Sequence, residues 1–210
     1  MNKKRFCISV VLLVAFAVWT WLVRFVDVKV IGPEESSVGL ATLNGAVHSF
    51  TGVNMALYTV TDWLGLVPIA VAFSFAVLGL AQWIKRGSLT RVDHSILALG
   101  VFYIAVMTAY IFFETVIINY RPILIDGYLE ASYPSSTTLL VMCVMPTALM
   151  QVSKRVNAST VRRVIMGVII AFTVFMVIGR LISGVHWLSD IIGGTILSAG
   201  IVTMYSAFSE

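Results

Sequence analysis

Long apolar runs, each closed by a short cluster of polar residues, set the pattern of this chain. Five of them, Phe6–Val26, Leu64–Ile84, Ile96–Ile118, Val164–Ile182 and Trp187–Phe208, approach the ~20 residues that a helix needs to cross bilayer hydrocarbon. A sixth, Leu139–Val152, becomes long enough if its helix begins near Ser135. The pattern predicts an all-α polytopic membrane protein: a six-transmembrane-helix bundle forming one domain over residues 1–210, with spans at about 6–26, 64–84, 96–118, 136–152, 164–182 and 187–208. The first run follows Lys3-Lys4-Arg5 and contains a cleavage-like Ala15-Phe16-Ala17, as a signal peptide does. It continues well beyond that triplet, and the reading is an uncleaved span. The longest connection, residues 27–63, contains a stretch from Val38 to Tyr58 too apolar for a solvated linker. It is expected to lie against the membrane or over the bundle, as an interfacial or re-entrant element.

Composition agrees with this pattern. Hydrophobic residues make up 59% of the chain and charged ones 11%, against roughly 45–50% and ~25% in soluble domains, and the mean hydropathy is +0.97. The net charge of +4 does not point to nucleic acid, because the cations sit in clusters at the ends of apolar runs. Lys3, Lys4 and Arg5, then Lys85, Arg86 and Arg91, then Lys154, Arg155, Arg162 and Arg163 mark the N-terminus and alternate connections. Positive-inside bias puts these in the cytoplasm, with both termini, and turns the acidic connections outward. The expected location is the plasma membrane. Cys7 and Cys143 lie inside apolar runs, so a structural disulfide is not expected and packing roles are assigned. Oligomeric state is not legible.

The stretch Gly179-Arg180-Leu-Ile-Ser-Gly-Val-His186-Trp-Leu-Ser-Asp190 breaks the last two apolar runs with a cation, an imidazole and a carboxylate. Ionisable groups at membrane depth need partners and mark function. If the chain is helical from Trp187, His186 and Asp190 share a face, and the carboxylate accepts the Nδ1 proton while Nε2 stays free as nucleophile or base. Arg180, across the Ser183-Gly184 break, is placed to return to the same spot and offer its planar fork to a phosphate or carboxylate. Two more polar clusters fall on the same side: Asn119-Tyr120-Arg121-Pro122, where proline ends a helix, and Tyr133-Pro134-Ser135-Ser136-Thr137-Thr138, where hydroxyls open one. A helix start offers free N–H groups to an anion. A metal site is disfavoured, because candidate ligands near His186 are few and the arginines repel a cation. No cofactor is expected. His48 and His94 have no companions and are read as structural.

At these residues the chain resembles the type 2 phosphatidic acid phosphatase family, the membrane relatives of the vanadium haloperoxidases. That family carries a lysine seven residues ahead of Arg-Pro, then Pro-Ser-Gly-His, then Ser-Arg, five residues, His, three residues and Asp. Arg121-Pro122, Pro134-Ser135, and Arg180, His186 and Asp190 match these in order and, for the third motif, in full spacing. The resemblance implies six helices, an outward-facing site and a metal-free phosphohistidine mechanism on lipid phosphates or diphosphates. In it His186 is the nucleophile, Asp190 orients it, and Arg121, Arg180, Ser135 and Ser136 hold the phosphoryl oxygens. Glu114 stands where the family has its lysine, Ser136 and Thr137 where it has Gly-His, and Gly179 where it has serine. The family's acid for the leaving group is thus replaced. Thr137 is left as a helix cap, Glu114 as a substitute acid if protonated or as a partner for Arg121, and diphosphates, which leave without a proton, become the favoured substrates. The alternative is a non-catalytic lipid-phosphate binder or transport partner descended from the same family.

Overall fold

A computed structural model describes residues 1–209. Six of its helical segments are long and apolar enough to cross a membrane, and the chain is an integral, multi-pass membrane protein. The elements that position the site are α1 (Lys3–Phe25), a two-residue hairpin of β1 (Lys29–Val30) and β2 (Ser37–Val38), α2 (Ala41–Thr51), α3 (Met55–Leu64), α4 (Leu66–Arg86), α5 (His94–Thr115), α6 (Ser136–Arg155), α7 (Ser159–Ile182) and α8 (Leu188–Phe208).

Two helices form the centre. Half of the spanning window of α6 and 56% of that of α8 are buried, against 22% or less in the other spans, whose remaining apolar surface faces lipid. Small residues along α8 make this possible. A Cβ on Gly200 would meet Leu13 Cδ2 at 2.8 Å, and one on Gly193 would meet the Tyr133 ring at 2.6 Å. Without a hydrophobic force between helices in lipid, such close backbone packing and interhelical hydrogen bonds hold the bundle together. Ser9 Oγ donates to Gly200 O at 2.8 Å, Trp19 Nε1 to Ser189 O at 3.1 Å and Asn2 N to Ala207 O at 2.9 Å, so α1 lies along the whole of α8. The Cys143 thiol is buried in the core, whereas Cys7 is exposed on the outside of α1 and fills no packing role.

Residues 27–63, expected against the membrane or over the bundle, contain the hairpin, α2 and α3. Their last part is helical from Met55 and runs into the second span, which therefore extends over Met55–Arg86. Pro68 cannot donate to the carbonyl four residues back, and the helix is interrupted just there, at Gly65. The α2 segment lies across the start of α8. Buried Asn44 grips Ser189 there, accepting from its N–H at 3.0 Å and donating to its Oγ at 2.9 Å.

Candidate functional site

The site assembles at the end of the bundle away from the chain termini, where α7 turns into α8. Arg180, in the last turn of α7, is 1% exposed and His186 3%. The turn between them requires Gly184, whose φ is +69° and whose Cβ would stand 1.9 Å from Gly52 O. His48, read from the sequence as structural, braces this turn: its Nε2 donates to Gly184 O at 3.1 Å, and its ring lies 5.3 Å from that of Trp187. Chain reversal brings Arg180 Nη2 to 3.1 Å from His186 Nε2. Arginine keeps its protons, so Nε2 is the acceptor and the imidazole is neutral with its proton on Nδ1. Burial, and then the charges of Arg121 and Arg180, hold the imidazole well below its ordinary titration range.

The expected His186–Asp190 hydrogen bond is corrected by the structure. Nδ1 lies 3.8 Å from Asp190 Oδ2, because α8 starts at Leu188 and leaves His186 outside the helix. The carboxylate is occupied in capping: Oδ2 accepts from the Trp187 N–H at 2.9 Å and Oδ1 from Ser189 Oγ at 3.3 Å. Asp190 is near enough to feel a charge on the imidazole and is not bonded to it.

Arg121 sits on a folded-back loop between α5 and α6. Its N–H donates to Glu130 O at 3.0 Å, Ser132 N to Asn119 O at 2.9 Å, and Trp187 Nε1 to Tyr120 O at 2.7 Å, which ties the loop to the residue after His186. The Arg121 side chain is paired with Glu130, Nε to Oε2 at 3.0 Å, and not with Glu114. Sequence reading missed Glu130, along with Tyr58 and Asp62. The latter two are four residues apart on α3, and Arg180 lies 5.0 Å over the Tyr58 ring with Nη1 3.5 Å from Asp62 Oδ1. Their helical spacing was the available signal, hidden because the sequence places both residues in the long connection 27–63 and not in a span.

Thr137 departs from expectation, and Ser135 takes a capping role as well. Ser135 is fully buried and is itself the cap of α6, its Oγ accepting from Thr138 N at 3.4 Å. That bond uses a lone pair of the oxygen and leaves its O–H to donate. Thr137 neither caps the helix nor lines the space beside His186; it faces a groove shared with Asp62, Leu66, Ile69 and Leu140. Ser136 borders both that groove and a small cavity lined by His186, Glu114, Tyr110, Ser132 and Tyr133. The Glu114 side chain makes no hydrogen bond or ion pair among the described residues. Arg121 Nη1 and Arg180 Nε are buried with no hydrogen-bond partner, although guanidinium N–H groups at such depth are normally all used.

No family model and no curated protein matches the chain. Among solved structures, it is similar to the first transmembrane PAP2-type phosphatidylglycerolphosphate phosphatase from Bacillus subtilis, with 17% identity, a TM-score of 0.59, and 95% of this chain and 94% of that one covered. The chain has the PAP2-type fold. In that fold the polar residues at the α7–α8 turn, the α5–α6 loop and the start of α6 converge, although they are far apart in sequence.

Proposed function

We propose that the protein is an integral-membrane phosphatase of lipid phosphates or diphosphates that works through a phosphohistidine at His186. One observation carries the reading: two buried guanidinium groups with unspent N–H donors flank a neutral imidazole. An anion with several oxygens satisfies those donors, and a phosphoryl group also offers the imidazole an electrophile. Phosphate oxygens arriving at Arg180 draw its Nη2 away from His186 Nε2, which frees the lone pair for in-line attack on phosphorus. Arg121, Arg180, Ser136 and the open N–H groups at the start of α6 hold the oxygens as their charge spreads in a loose transition state. Asp190 stabilises the positive charge that the ring acquires. Removing one such donor typically costs ~10²–10³-fold in rate.

The name of the structural neighbour supports a lipid phosphate as substrate class, as does a site set among spanning helices. We place the termini and the basic cluster of Lys85, Arg86, Lys154 and Arg155 in the cytoplasm, and the site at the outer face of the plasma membrane, on the distribution of charge.

The test is phosphate release by purified, detergent-solubilised protein from a panel of lipid monophosphates and diphosphates. Release is expected, faster from diphosphates, whose leaving phosphate stabilises its own charge. Binding of these lipids without any release would overturn the phosphatase reading and leave a lipid-phosphate binder.

A further inference from the structure

The small cavity beside His186 brings together groups that are otherwise unexplained. It is lined by His186 and by Glu114, in the last turn of α5, with Ser132 and Ser136 also on its wall. It leaves ≈ 10 Å³ for the centre of a water molecule, about what one water occupies. An ammonium headgroup does not fit in that space, but one water does, with a serine hydroxyl and the Glu114 carboxyl available to orient it. Glu114 is also free for such work: the cation nearest in sequence, Arg121, is engaged by Glu130 at 3.0 Å.

We propose that Glu114 is the proton-transfer residue of this site and that the cavity, at its Glu114 end, admits the hydrolytic water, which attacks phosphorus in line from the side opposite His186 Nε2. The proposal rests on the phosphohistidine reading above. In the first half-reaction, His186 Nε2 forms a bond to phosphorus, the bond from phosphorus to the leaving oxygen breaks, and that oxygen takes the proton of the Glu114 carboxyl. In the second, the cavity water forms a new oxygen–phosphorus bond and gives its proton to the Glu114 carboxylate while the nitrogen–phosphorus bond breaks. Inorganic phosphate departs and Glu114 is again protonated, so lipid phosphate plus water becomes lipid alcohol plus phosphate with every proton accounted for. Thr137, which faces the other groove, has no part in either step.

Glu114→Gln keeps size and polarity but cannot transfer the proton. With a lipid diphosphate, whose leaving group departs unaided, the variant is expected to release about one equivalent of lipid monophosphate and then stop, with phosphate held on His186 as an acid-labile adduct visible by mass spectrometry. With a lipid monophosphate, both steps lose their catalyst, and turnover is expected to fall by the ~10²–10⁴-fold typical of general acid–base catalysis. Glu114→Asp should restore part of the rate. Wild-type turnover by Glu114→Gln overturns the proposal. So does a folded, phosphate-binding Glu114→Gln protein that is inactive on diphosphates with no trapped adduct. Failure of the wild-type protein to release phosphate from any substrate is a different result, because it removes the phosphatase reading itself.

Discussion

The two ends of the bundle both gather arginines and carboxylates, yet they treat them in opposite ways. At the terminus end, Asp93 takes Arg86 Nη1 at 2.8 Å, Arg155 Nη2 at 2.9 Å and Gln82 Nε2 at 2.9 Å. Beside it Gln151 accepts from Arg155 at 2.9 Å and donates to Tyr205, which passes a hydrogen bond to Ser95 O at 3.1 Å. At the site end the bonding is incomplete. Among the described residues, the buried side-chain atoms without a partner belong to Ser36, Asn119, Arg121, Thr138, Arg180 and His186, all of them there. A satisfied polar network rigidifies a structure, whereas unsatisfied buried donors are costly and persist where a ligand completes them. The contrast separates the Asp93 network, a latch between the ends of α4, α5 and α6, from the site more sharply than charge or burial alone.

Substitutions should therefore have different consequences at the two ends. The largest effect is expected from His186→Ala: no phosphate release and no phosphoenzyme, with thermal stability retained. Full activity in that variant would end the phosphohistidine reading. Next, Arg121→Ala should lower turnover by ~10²–10³-fold and also change the pH profile. Neutral His186 is the reactive form and Arg121 helps to keep its pKa depressed, so activity is lost as pH falls through that low value. Removing the cation raises the pKa, and the acid limb of kcat should move to higher pH. An unmoved limb would mean that the two groups do not communicate. Asp190→Asn should leave measurable residual turnover, since it removes a charge near the imidazole and not the nucleophile. Its complete inactivation in folded protein would assign Asp190 a larger part.

The smallest effect on activity is expected at the latch. Asp93→Asn should cost about 1 kcal/mol of stability, the scale of a partly exposed ion pair, with turnover per folded molecule unchanged. The hydrogen bond from Arg86, then that from Gln82, holds the Asp93 carboxyl at about 2. Its stabilisation is thus complete above the unfolded value of ~3.9 and is lost as pH falls toward the folded one. Thermal melts of wild-type and variant protein across that window should converge at its acid end.

Much of this was legible in the sequence because lipid tolerates so few alternatives. An apolar run of spanning length has to be a helix, and Arg121, Arg180 and His186 stood out as ions in oil. The approach of Arg180 to His186 also followed from spacing, since Gly184 can make the reversal between them where a residue with a Cβ cannot. Harder to read were choices made among competing hydrogen bonds. Asp190 had an imidazole and its own helix start within reach, and the cap prevailed because α8 begins after His186. Ser135 likewise turns an oxygen lone pair to the start of α6, and Arg121 chose Glu130 across a loop whose fold-back no local pattern announced. Tyr58 and Asp62 were missed for another reason: α3 is too polar to look like a span and too apolar to look like a loop.

The packing of α1 along α8 has a consequence for biosynthesis. Chains emerge N-terminus first, at ~5–20 residues per second, so α1 is made long before the helix that covers it. Through the synthesis of α2 to α7 its inner face, with Ser9 and Trp19, waits without the Gly200 and Ser189 carbonyls that later accept from them. His186 and Asp190 arrive with that same segment. The ribosome thus delivers the nucleophile and the keystone helix together, and a nascent chain cannot display a working site before its bundle is able to close.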